Sequence, residues 1–90
     1  MNDVHNFTIS SLHAPTVLPR IALVFSRRGV VIKRLEMHAL DEDAQALISL
    51  DARCDAPEAD KILGQLRRIV EVSEVGVRAS NTLLDVRQAS

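Results

Sequence analysis

The chain has no tryptophan and no tyrosine, and only two phenylalanines, Phe7 and Phe25. That scarcity argues against a surface that stacks nucleic-acid bases, which needs exposed aromatics beside a basic Gly-aromatic run. A single cysteine, Cys54, excludes an internal disulfide and any CxxC metal or redox motif. Neither charge dominates: 11 Lys and Arg against 12 Asp and Glu leave a net charge of −1, so there is no electrostatic case for nucleic acid or an anionic membrane. No apolar run approaches about 18 residues and the N-terminus is polar, so neither a membrane span nor a signal peptide is expected, and the expected location is cytoplasmic. The 90 residues suffice for one domain and one core. Folding at this size buries roughly 60–65% of the unfolded chain's surface, which makes association a plausible source of further stability.

What is present is a regular patterning. From Val4 to Leu12, Phe7 and Ile9 alternate with Asn6, Thr8 and Ser10, the signature of a half-buried strand. Val17, Leu18, Ile21, Ala22, Val24 and Phe25 then follow at helical spacing. Thr16 as N-cap puts Pro19 at the third helical position, where its missing N–H is no loss; a start at Pro19 itself is the alternative. Arg27 and Arg28 suit the negative end of that helix, and Gly29 suits the left-handed position that closes it.

Val30 to Leu40 reads as a second strand whose alternation slips, because Val30 and Ile32 have one parity and Leu35, Met37 and Ala39 the other. A bulge near Lys33-Arg34, or a start at Arg34, reconciles them. Ala46, Ile48, Leu50 and Ala52 mark the inward face of a third strand. A four-residue loop, Asp41 to Ala44, pairs Met37 with Ile48, Leu35 with Leu50 and Arg34 with Asp51; a longer loop would oppose Arg34 with Arg53. Pro57 and Glu58 open a second helix, with an apolar stripe of Ala59, Ile62, Leu63, Leu66, Ile69 and Val70. Val72, Val75 and Val77 belong to a fourth strand.

The order strand–helix–strand–strand–helix–strand predicts an α+β, ferredoxin-like βαββαβ fold: a four-stranded antiparallel sheet with both helices on its one apolar face. The domain is placed at residues 4–78. Residues 79–90 form a C-terminal tail, loosely ordered or docked on a partner through Leu83, Leu84 and Val86. The open sheet face carries Asn6, Thr8, Ser10, Arg34, Glu36, His38, Gln45, Ser49, Asp51 and Arg53.

No catalytic constellation is visible. His5, His13, His38 and Cys54 sit in no triad or nucleophile motif, and His13 and His38 lack metal-ligand spacing. Arg20, Arg27 and Arg28 can bind phosphate or simply be solvated. The loop at His13–Thr16 and the helix start can hold a carboxylate on the N–H groups of Thr16, Val17 and Leu18; the plainer alternative is that Thr16 only caps the helix.

Pro15-x-x-Leu-x-Arg-Ile21 followed by Phe25-Ser-Arg-Arg-Gly-Val-Val-Ile32 resembles the first helix and second strand of acetolactate synthase small regulatory subunits, which are ACT domains. Leu66-Arg-Arg-Ile-Val-Glu-Val72 with Val75 is similar to that family's Leu-x-Lys-Leu-x-Asp-Val-x-x-Val. The resemblance implies an ACT domain that pairs side by side with a second copy and activates a catalytic large subunit. The thiamine diphosphate, Mg2+ and FAD of that enzyme would belong to the large subunit, and this chain would bind no cofactor and supply no catalytic group. The effector positions it implies are His13, Ala14, Thr16, Val17, Leu18, Val31 and Ile32; Arg27 and Arg28 are candidate partner contacts, with solvated helix-end charges as the alternative. Effector-binding members usually have Asn at the position of His13, Gly at Thr16 and Asn at Val31. Weak or absent sensitivity to a branched-chain amino acid such as valine is therefore expected. The alternative is a free-standing ACT-domain amino-acid sensor that regulates another enzyme.

Overall fold

Alternation along the first strand is what orients the whole fold. In the computed structural model, which describes residues 3–40 and 44–79, β1 (Asp3–Leu12) turns Phe7 and Ile9 inward until both are fully buried. Then come α1 (Val17–Arg27), β2 (Ile32–Ala39), β3 (Gln45–Cys54), α2 (Ala56–Leu66) and β4 (Val72–Ala79). The strands form one antiparallel sheet in the order β2-β3-β1-β4, the expected ferredoxin-like topology. Val17, Ile21 and Phe25 from α1, and Ala59, Ile62 and Leu66 from α2, close over the inner face. Phe7 and Phe25 meet edge to face, with ring centroids 5.3 Å apart at 86°, the geometry the ring quadrupoles favour.

The β2–β3 register is the one that avoids the Arg–Arg pair. Arg34 lies opposite Asp51, Leu35 opposite Leu50 and Met37 opposite Ile48. The register shifts between Ile32 and Arg34, so Lys33 is a bulge and β2 begins before it. The turn at 41–43 lies outside the described residues, but Leu40 N–H donates to the Gln45 carbonyl at 2.9 Å at its mouth. A second irregularity, not anticipated, lies between Ser10 and Ser11. Their partners on β4 are Glu74 and Val72, so Ser73 is extra, and its hydroxyl donates to the Ser10 carbonyl. This bulge explains how Val72 and Val75, of opposite parity, both reach the core.

The helix ends follow local chemistry. Gly29 has φ 69°; Val30 N–H donates to Phe25 O and Gly29 N–H to Ser26 O, a Schellman closure. Asp55 caps α2, accepting the Glu58 N–H at 2.8 Å. The expected stripe of the second helix is shorter than its sequence suggests. The helix stops at Leu66, Ile69 packs on the core from the following turn, and Val70 is 86% exposed. The turn after Leu66 swings Val70 away from the stripe it would share on a continuous helix. Of the expected tail, Ala79 is the last residue of β4, and residues 80–90 lie outside the described residues.

The two faces and two edges of the sheet differ. On the open face, Asn6 is buried beneath its own contacts: its amide donates to Asp51 at 2.7 Å and to Ser49 at 3.1 Å. Arg34 spans from Glu36 at 2.6 Å to Asp51 at 3.1 Å. These bonds tie β1, β3 and β2 together. β3 is sealed on the inner face at every alternate position, whereas neither edge strand has a buried residue. α2 lies against β4, and neither helix makes comparable contact with β2. Leu35 remains 38% exposed although it points to the core side. The helices stop short of this edge.

Candidate functional site

The β1–α1 loop was the sequence's candidate ligand site, and its geometry is built from both ends of the chain. Leu12 N–H donates to the Glu71 carbonyl at 2.9 Å and His13 N–H to the Ala44 carbonyl at 3.0 Å, fixing where the loop leaves the sheet. Val17 N–H donates to Ala14 O at 3.2 Å, which commits one of the three donors expected to face a ligand. Thr16 occupies the N-cap position, but its side chain caps nothing. Its hydroxyl donates instead to Glu71 Oε2 at 2.7 Å. Arg20, one turn into α1, lies 3.7 Å from the same oxygen.

Glu71 is the residue that sequence reasoning missed. Its side chain is 14% exposed, and Oε1 is buried with no hydrogen-bond partner. The Thr16 hydroxyl, its own backbone N–H and the Arg20 charge hold this carboxyl below the usual carboxylate range. An ionised carboxylate therefore stands at the positive end of α1, the place where a ligand carboxylate would be attracted. No local pattern announces this contact, because the two residues are 55 positions apart.

The expected effector positions fall into two groups. His13, Ala14, Thr16, Val17 and Leu18 lie at the end of the sheet where Leu12 pairs with Gln45. Val31 and Ile32 lie at the other end, where Ile32 pairs with Ala52. The 11 residues of α1 separate them by about 16 Å. Within one chain the structure does not bring these groups together. Val31 is 67% exposed and Ile32 half-buried.

At the far end of α1, Arg28 forms an ion pair with Glu58 in the first turn of α2. Hydrogen bonding to Arg28 holds the Glu58 carboxyl below its ordinary value, with the Arg28 and Lys61 charges adding to the effect. Arg27 is exposed. Cys54 is buried, its sulfur 3.9 Å from His5 Nδ1. Burial pushes the thiol up, and Glu58 and Asp55 push it further, the opposite of what an activated nucleophile requires. His38 lies on the open face within 3.8 Å of Glu36, and His13 is exposed in its loop. Among the described residues no group of three His, Cys, Asp or Glu side chains is placed to hold a metal ion.

A sequence profile described as the ACT domain matches residues 13–75, from the β1–α1 loop into β4. The chain belongs to the ACT-domain family. An ACT domain is a regulatory, non-catalytic module with a small-molecule-binding role. No curated protein matches the sequence significantly. Among solved structures, the ACT domain of a GTP pyrophosphokinase from Chlorobium tepidum is 15% identical, with a TM-score of 0.74; the match covers 87% of this chain and all of that one. An acetolactate synthase small subunit from Thermotoga maritima is 23% identical, with a TM-score of 0.68 over 82% of this chain and 46% of that one. The 30S ribosomal protein S6 of the same organism reaches 0.71 at 12% identity, covering 99% and 97% of the two chains. These likenesses are of fold. No helix of the described residues is long and apolar enough to cross a membrane.

Proposed function

We propose that this ACT domain is the regulatory small subunit of an acetolactate synthase, binding and activating a thiamine-diphosphate-dependent catalytic subunit. The observation that carries the reading is the run Phe25-Ser-Arg-Arg-Gly-Val-Val-Ile32. It has the residue order of acetolactate synthase small subunits, and its parts have distinct physical roles. Phe25 fills the core, Arg28 pins α1 to α2, and Gly29 closes α1. The likeness to the Thermotoga maritima small subunit supports the same reading. Thiamine diphosphate, Mg2+ and FAD would be held by the catalytic subunit.

The pairing of two copies follows from the uncovered β2 edge. An edge strand has free backbone donors and acceptors, and this one adds exposed apolar side chains on the core side. A second copy laid antiparallel along β2 would continue the sheet. It would also bring Val31 and Ile32 of the second copy to the end that holds His13–Leu18 of the first. The effector positions split within one chain would thus be reunited across the dimer.

Feedback by valine is weak or absent in this reading. Val31 has no side-chain amide to orient an amino acid, Thr16 adds bulk, and the Glu71 carboxylate already occupies the helix start. Mixing the chain with its cognate large subunit should raise acetolactate formation, and the two should co-elute. An unchanged rate with no co-elution points instead to the free-standing amino-acid sensor of another enzyme. Calorimetry with valine, leucine or isoleucine should give no micromolar binding. Thr16→Gly with Val31→Asn and Glu71→Gln should gain on the order of tenfold in affinity or more; an unchanged titration would remove Glu71 and Val31 from the site.

A further inference from the structure

The helical layer carries a further feature on its outer side, which shares only Arg20 with the effector loop. A groove of about 350 Å³ runs along the seam between α1 and α2, and four arginines line it: Arg20, Arg27, Arg28 and Arg68. Its floor is apolar, formed by Leu23, Val24 and Ile69, and Leu23 is 44% exposed. Two of the four cations are partly answered, Arg28 by Glu58 and Arg20 by Glu71. Arg27 and Arg68 make no ion pair among the described residues, and α1 contains no acidic residue at all.

This is a segregation of charge, in a chain whose net charge is −1. Arg20 and Arg27 are seven positions apart on one helix, about 10 Å, with the apolar floor between them. Uncompensated cations this close raise one another's energy, and a low-lying apolar floor gives water little to bond. The complementary occupant carries carboxylates about two helical turns apart with an apolar side chain between them. An open seam of this shape suits a chain segment better than a small molecule enclosed on all sides.

We propose that the α1–α2 groove docks an acidic amphipathic segment of the catalytic subunit. The inference rests on the reading of the chain as a small subunit, and it assigns the docking to the helical layer. The open sheet face, where Asn6, Asp51 and Arg34 are tied in one network and Arg53 and Arg78 stand apart as single charges among the described residues, is left free. Arg27 and Arg68 provide most of the attraction, because their charges are unspent.

The test compares the full wild-type chain, Arg27→Glu with Arg68→Glu, and a control with Arg53→Glu and Arg78→Glu on the open face. Each is titrated against the catalytic subunit by calorimetry at low and at about 0.5 M salt, where screening cuts surface attraction. Circular dichroism confirms that all three fold. The expected result is at least a tenfold loss of affinity for the groove variant, a salt-weakened wild type, and a control within about twofold of wild type. Equal binding by the groove variant, or loss confined to the control, would overturn the groove while leaving the small-subunit reading intact. No binding by the wild-type chain would overturn both. As a second measurement, the same chain is titrated with inorganic tripolyphosphate: saturation of the groove at micromolar concentration would make it a small-anion site and overturn the peptide assignment.

Discussion

Phe25 does two things with one residue: its ring fills the centre of the core, and its carbonyl accepts the bond that closes α1. Only the first depends on the ring. Phe25→Ala should therefore leave the helix end intact and cost about 3–5 kcal/mol through the cavity beside Phe7, read as a lower denaturant midpoint. Glu58 carries a pH dependence. Its carboxyl is held below the ordinary range by Arg28 in the folded protein and returns to about 4.3 in the unfolded chain. The pair thus stabilises fully above that pH and is lost as pH falls through the depressed folded value. Glu58→Gln should be less stable than wild type at pH 7, with the difference shrinking as unfolding is measured from pH 5 towards pH 3. A difference that stays constant over that range would mean that the carboxylate contributes nothing by its charge. The identity of Thr16 as the residue before α1 was legible in the sequence, but the destination of its hydroxyl was not. A short hydroxyl is equally able to cap its own helix or to reach a neighbour, and the choice was made by Glu71, brought in from the far side of the fold.

Whole elements were more legible than single contacts, wherever the cause was local. Gly29 is followed by the exit from α1, the opposed charges of Arg34 and Asp51 select the hairpin register, and the parity slip around Lys33 marks a real bulge. The equivalent slip from Val72 to Val75 has its cause in pairing with β1, so Ser73 gave no warning. Val70 was misplaced because apolar periodicity continues past Leu66 while the backbone does not. Pro57 and Glu58 marked the opening of α2 in the sequence, whereas its cap, the Asp55 carboxylate on Glu58 N–H, came from the structure. Asp55→Ala should cost about 1 kcal/mol in chemical denaturation, and Asp55→Asn should recover most of that loss. Equal destabilisation by both would show that the charge, and not the hydrogen bond to Glu58 N–H, is what matters.

For the molecule as a whole, the unfinished edge matters most. The core face of β2 is only partly covered by the two helices, and the proposed reunion of the effector positions depends on the same surface. Leu35→Asp should shift the protein from twice its chain mass towards the chain mass of 9.9 kDa, as measured by light scattering; an unchanged mass would place the self-contact elsewhere. Such an edge also couples folding to concentration. If apolar surface is sealed only when two copies meet, dilution acts as a denaturant: each tenfold drop removes about 1.4 kcal/mol of association free energy. The melting temperature of the dilute protein should fall accordingly, and an excess of free chains in a cell would be the fraction exposed to proteolysis. Under that pairing the uncovered strand would be a gauge of abundance, making the lifetime of the chain depend on how many copies surround it.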